Sequence, residues 1–396
     1  MRKIFVAALL FSSITHAQGD NFELSIDRYY SPYVGGNLMI TGLRAYQALD
    51  DIFLSGSGGD TSNAMSFARC GKMVFEFSLS HYAMIAQHEI FGHGYRAREF
   101  NQTNIRYKVR PFSGYTSMAA SSYNPLHPNA KAALAAGGME ATSILAKQLN
   151  KNWISSDAID RREAILYLVN SFDETRYVFK TNKHNTNSAN DVVSYMNMVN
   201  AWQGANTLRA GNLKMKTAWN LLDPMIYYSA YSIFRYLWLG EAYVTFDTLK
   251  LAGAKYMPTT RTWLAPWGPE LQLQNHFYTA SNKYLGVHLR GGRTGSKKSY
   301  GLDINVDPIA TYDRFYLSNS LSVWFQPHLL ISPVASTNVN KYGFAEFFAL
   351  NFKIHPSVVA QAEIGYKTSG YLPGTPLRGG PLYRMALRFN LDSVAI

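Results

Sequence analysis

Apolar and polar residues alternate at both ends of this chain, and between those stretches the apolar period lengthens to that of a helix. Phe22-Glu23-Leu24-Ser25-Ile26-Asp27 alternates strictly, which predicts a strand with one apolar face. A Gly/Ser-rich loop over residues 55–60 follows, and Thr61, Ser62 or Asn63 offers an N-cap for the first helix after it. Helical spacing then holds to about residue 255, with helices expected over 130–149, 157–180, 189–202 and 224–243. Asp223-Pro224 opens the last of these as N-cap and first helical residue. After Trp263 the period falls to two. Seven alternating segments run from Leu271/Leu273 to Leu387/Phe389/Leu391, separated by turn signals such as Gly291-Gly292, Asp307-Pro308 and Gly379-Gly380.

With the N-terminal strand these segments make eight, the smallest even number that closes a membrane barrel. The expected fold class is therefore α+β. A helical block would carry the chemistry, and a C-terminal antiparallel meander would form an eight-stranded outer-membrane β-barrel closed by the N-terminal strand. A soluble meander that packs the same apolar face on the helices fits the pattern as well. The chain divides into residues 1–17, 18–60 (strand and loop), 61–258 (helical block) and 259–396 (barrel or sheet).

Composition sharpens this picture. Only 16% of residues are charged, while aromatics reach 14% with 27 tyrosines, the bias of a membrane-embedded sheet. Arg2 and Lys3 precede an apolar run over residues 4–11, and Thr15-His16-Ala17 supplies small residues for cleavage, so residues 1–17 read as a secretory signal peptide. The single Cys70 excludes an intramolecular disulfide framework, and export without disulfides points to a bacterial outer membrane or periplasm. The net charge is +12, but no aromatic-basic nucleic-acid motif is present and export argues against such a partner. The most apolar helical stretch, 225–239, is interrupted by Arg235 and falls short of a span.

The candidate chemistry lies in Ala86-Gln87-His88-Glu89-Ile90-Phe91-Gly92-His93-Gly94. Two imidazoles and a carboxylate next to the first of them are the composition of a catalytic zinc site. His88 and His93 would hold Zn2+, and Glu89 would take a proton from water as general base. Their i, i+5 spacing puts the two rings about 140° apart on a regular α-helix, too far for one ion. A single π-helical turn would absorb the extra residue, with Gly92 a natural place for it. The bland alternative is an ordinary Glu89–His93 helix pair.

The motif resembles the HExxGH sequence of the dipeptidyl peptidase III family of zinc peptidases at His88, Glu89, Gly92 and His93. In that family a glutamate some fifty residues downstream completes the metal site, and the resemblance implies that role for Glu140, 47 residues after His93. The local likeness covers these two patches only, so it implies site geometry rather than fold. The resulting expectation is an exported zinc-dependent hydrolase, most simply a metallopeptidase of the envelope, acting on a peptide or lipid substrate. The competitors are a zinc hydrolase of lipid or cell-wall esters and a non-catalytic outer-membrane structural or assembly protein.

Overall fold

The computed structural model describes residues 21–55, 67–119, 126–181, 190–281, 283–331 and 340–390. Residues 1–17, expected to be a signal peptide, and the candidate caps Thr61, Ser62 and Asn63 lie outside them. Among the described residues, fourteen strands and a block of helices form a mixed α+β architecture. Strand β1 (Asn21–Asp27) leads directly into helix α1 (Pro32–Ser55). Helix α2 (Phe67–Ala86), a π-helical turn (Gln87–His93) and α3 (Gly94–Glu99) then form one rod. A hairpin of β2 (Thr103–Arg110) and β3 (Ser113–Ala119) folds back over it.

Helix α4 (Pro128–Ser156) is buried over most of its surface, its Ala and Gly positions letting neighbouring elements approach closely. It packs on α1, on the π-helical turn, on α5 (Arg161–Lys180), on α6 (Asp191–Gln203) and on the sheet. Helices α7 (Ala210–Thr217) and α8 (Pro224–Leu239) complete the block. The Asp223 carboxylate caps α8 by accepting from the Met225 N–H, as its sequence predicts. Two expectations need correction. Residues 32–55, placed in the strand-and-loop segment 18–60, form a long helix, and the expected loop past Ser55 lies outside the described residues. Helix α4 also runs on to Ser156, where Asp157 takes a left-handed conformation and ends it, so α5 begins at Arg161 with Asp160 as its cap.

A short ladder joins β4 (Ala158–Asp160) to β5 (Tyr243–Thr245). The remaining strands are β6 (Leu249–Leu251), β7 (Ala254–Ala265), β8 (Gly268–Tyr278), β9 (Tyr284–Thr294), β10 (Lys297–Tyr312), β11 (Phe315–Pro327), β12 (Asn340–His355), β13 (Val358–Lys367) and β14 (Gly380–Asn390). They form one antiparallel sheet in the order β1-β14-β13-β12-β11-β10-β9-β8-β7-β6. The N-terminal strand pairs with the last one, Leu24 opposite Leu387 and Ile26 opposite Met385. The sheet has ten strands rather than the eight counted from alternation, because β6 and β7 continue it into the segment expected to be helical. Its order ends at β1 and β6, so hydrogen bonding does not close it among the described residues.

The two faces of the sheet differ in character. On the outer face Leu24, Leu289, Leu350, Ile364 and Met385 stand 48–66% or so exposed, Leu24 at 49% and Met385 at 66%. The inner face buries polar groups instead. Arg290 there pairs with Glu270 and Asp303, Arg388 with Glu23, and His288 and Gln272 are enclosed.

Candidate metal centre

The rod carrying the motif widens to π-helical geometry where i, i+5 spacing requires it. Residues Gln87–His93 are π-helical, and the Gly94 N–H bonds the Glu89 carbonyl, an i to i−5 bond. The wider turn brings both imidazoles to one side, with their Nε2 atoms 3.2 Å apart and the ring centroids 4.9 Å apart. Gly92 lies inside this turn. A Cβ there would come within 2.5 Å of the Gly138 Cα and 2.6 Å of the Gly137 carbonyl oxygen, so Gly92 also permits the close crossing with α4.

The third group is Asp191, the first residue of α6. Its Oδ2 lies 3.2 Å from His88 Nε2 and 3.3 Å from His93 Nε2. Three ligand atoms of the right type thus form a nearly equilateral triangle. A tetrahedral ion with bonds of about 2.05 Å needs ligand–ligand edges of about 3.3 Å, so the spacing fits zinc or a similar divalent ion. The outer contacts fit too. His88 Nδ1 is 2.8 Å from Asp173 Oδ2 on α5, and His93 Nδ1 is 2.8 Å from the Leu134 carbonyl on α4. Each acceptor takes the Nδ1–H and leaves the Nε2 lone pair facing the common point. Thr142 donates to the same Asp173 oxygen, and Tyr177 stacks on the His88 ring.

These contacts set the electrostatics. Burial disfavours imidazolium at His88, but Asp173 and Asp191 outweigh it and raise its pKa well above the ordinary range. Burial also opposes charge on His93, and Asp191 raises it on balance. Asp191 itself is pulled far below the usual carboxylate range: desolvation works to raise it, but the two histidines prevail. The cluster binds protons tightly for the same reason that it would bind a cation.

Glu89 is buried beside this triangle and held by the hairpin. Thr116 Oγ1 lies 2.7 Å from its Oε2 and 3.0 Å from its backbone carbonyl. The strand is close enough that a Cβ on Gly114 would come within 2.9 Å of the Glu89 Cγ.

Glu140 is not the carboxylate that meets the histidines. Arg96 Nη2 grips its two oxygens at 2.7 and 2.8 Å, and the Gly374 N–H donates to Oε1 at 2.6 Å. Arg96 also holds Glu99, at 2.7 Å, and the combined pull of the two carboxylates overcomes burial to raise its pKa. Glu140 therefore fastens the motif rod to the loop before β14, with its lone pairs already committed. His127 caps α4 by accepting from the Asn129 N–H, and His81 bonds the Pro111 carbonyl between Phe77 and Phe112.

Asp191 and Asp173 carry no sequence signal that separates them from ordinary residues. An acidic residue in the first turn of a helix is what the helix dipole favours anyway. Comparison with known families, with curated proteins and with solved structures finds nothing that matches this chain. The site stands on its own geometry.

Proposed function

We propose that the chain is a zinc-dependent hydrolase, most simply a peptidase, of the bacterial envelope. The observation that carries this reading is the triangle of His88 Nε2, His93 Nε2 and Asp191 Oδ2, with edges of 3.2–3.3 Å, beside a buried glutamate on the same turn. His88, His93 and Asp191 hold the metal, the last in place of the Glu140 that the motif resemblance implied. Zinc in such a site acts as a Lewis acid, lowering the pKa of water toward neutrality and polarising a carbonyl. Glu89 accepts the proton of the attacking water and returns it to the leaving group. Thr116 fixes the Glu89 carboxylate through one oxygen and leaves the other free for that transfer. Asp173 and the Leu134 carbonyl keep both imidazoles in the tautomer that presents Nε2.

The envelope placement rests on the two faces of the sheet, apolar outside and polar inside. Aromatic pairs mark both ends of the outer face: Phe325–Tyr342 and Phe344–Tyr366 at one, Phe315–Phe352 at the other. Phe315 and Phe325 are ten residues apart on β11, or about 33 Å of strand. A tilt of about 45° reduces that to about 23 Å, near the roughly 25 Å apolar band of outer-membrane sheets.

Metal analysis together with Glu89→Gln tests the catalytic reading. The purified protein should carry one zinc per chain, and Glu89→Gln should keep the zinc while hydrolysis of a casein or peptide-library substrate falls at least a hundredfold, about the scale of a lost general base. A chain that binds no divalent metal, or a Glu89→Gln variant with full activity, refutes it.

A further inference from the structure

The sheet is open between β1 and β6, yet the outside of the molecule does not change character across the gap. Three helices stand there in sequence. Helix α1 packs beside β1, where Thr41 Oγ1 bonds both the N–H and the carbonyl of Glu23 at 2.9 and 3.0 Å. Helix α2 adjoins α1 through the Tyr46–Phe75 ring contact and the 2.6 Å Lys72–Asp50 pair. Helix α8 adjoins α2, whose Arg69 donates to the Tyr236 and Leu237 carbonyls, and packs on β5 and β7 at the far side.

The outward stripes of all three helices are apolar. Helix α1 shows Leu38 and Leu49, α2 shows Val74 and Phe75, and α8 shows Phe234 and Trp238, each more than 40% exposed, Val74 reaching 67%. Most charges of α1 and α2 turn inward instead. On α1, Arg44 pairs with buried Glu163 and Asp50 with Arg162. On α2, Arg69 and Lys72 make the contacts above and Glu76 pairs with Arg161. The lone charge of α8, Arg235, lies at the surface near the helix end, where Glu241 and the Tyr231 hydroxyl pair it. Helix α8 even buries Ser229 and Ser232 while exposing its aromatics. A helix on the surface of a water-soluble domain has the opposite arrangement.

Resting on the membrane reading of the sheet, we infer that α1, α2 and α8 complete the lipid-facing wall, so that acyl chains cover them as they cover the strands. Among the described residues no helix is long and apolar enough to cross a membrane alone. A wall helix does not have to be, because neighbouring elements pair its charged groups on the inner side. The lengths agree. The 16 residues of α8 span about 24 Å and the 20 of α2 about 30 Å, comparable with the apolar height of the sheet. A protein partner would bring a polar rim to such a patch. The stripes instead run from the outer face of β1 to that of β6, where Leu249 and Leu251 are exposed.

The test is nitroxide accessibility in the full chain, reconstituted into phosphatidylcholine–phosphatidylglycerol vesicles. Single cysteines are placed at Val74, Phe234 and Leu49, and at Leu350 on the outer face of β12, in a Cys70→Ser background. Oxygen should collide with all four labels several-fold more than a water-soluble nickel chelate does. Chelate-dominated collision at Val74 and Phe234, with Leu350 still oxygen-dominated, overturns the wall and leaves the membrane sheet standing. Chelate-dominated collision at Leu350 as well removes both. Low collision with either reagent at Val74 and Phe234 means that protein covers the helices, and this too overturns the inference.

Discussion

The His88 ring occupies the space that a side chain at residue 138 would need: a Cβ built on Gly138 would meet His88 Nε2 at 2.2 Å. The proposed ligand atom itself is therefore the group displaced by Gly138→Ala. His88 cannot move sideways while Asp173 holds Nδ1 at 2.8 Å and Tyr177 lies against its face. The variant should fold but bind substoichiometric zinc, with activity reduced about a hundredfold, the usual consequence of a ligand misplaced by ~1 Å. Metal content by mass spectrometry, beside a circular dichroism spectrum unchanged from wild type, measures it. A fully loaded and active Gly138→Ala would mean that His88 does not ligate through Nε2.

Gly92→Ala should fail differently. Its Cβ would meet backbone atoms of Gly137 and Gly138 at 2.5–2.8 Å, and backbone within a buried helix yields little. The π-helical turn and α4 must then separate, which costs about 1–3 kcal/mol, as overpacking does. The expected signature is a lower Tm with zinc still bound below it. An unchanged Tm would show that the crossing is looser than these contacts imply.

Glu140 and Asp191 separate the two assignments of the third ligand. Glu140→Gln breaks a buried ion pair with Arg96 and should cost about 3–5 kcal/mol while leaving zinc stoichiometry intact. Asp191→Asn keeps the shape of the side chain but removes the charge between two imidazoles, so zinc affinity should fall steeply, and the metal-free protein, whose buried imidazoles lose their carboxylate partner, should melt lower as well. Zinc titration and thermal melts on both variants check this. Metal loss in Glu140→Gln together with retention in Asp191→Asn would restore the assignment implied by the motif resemblance.

The strands could be read from the chain because alternation is local. Each residue of β8 to β14 declares its own face, and the pairing of β1 with β14 follows once the series is counted. The π-helical turn could be read for the same reason, since the misfit of i, i+5 spacing with 3.6 residues per turn is arithmetic. Asp191 could not, because α6 reaches the site only through its packing on α4, a tertiary fact. Helix α1 was hidden by its glycines. Gly35 and Gly36 look like helix breakers, yet their Cβ positions are filled by Phe91 and Gln148, so they mark where α1 crosses the motif rod and α4. The Gly137-Gly138 pair in α4 has the same meaning.

Glu174 gives the fold a pH dependence that one substitution should remove. It lies in α5 next to Asp173, fully enclosed, with no hydrogen-bond partner for Oε1 among the described residues. Burial is the main cause that pushes its pKa up, to about 8; Asp173 adds to the rise, while Arg261 and Asn220 oppose it. In the unfolded chain it titrates near 4.5. The folded state thus holds a proton that the unfolded state has already released, and stability falls as pH rises from about 4.5 to about 8, then levels off. Each unit of that window costs up to about 1.4 kcal/mol. Glu174→Gln is neutral in both states and keeps the shape. Its Tm should match wild type near pH 4.5 and exceed it by several degrees at pH 8.5, as measured by paired melts across that range. A gap between the two proteins that stays constant with pH would mean that Glu174 is ionised in the folded chain and that its pocket is wet.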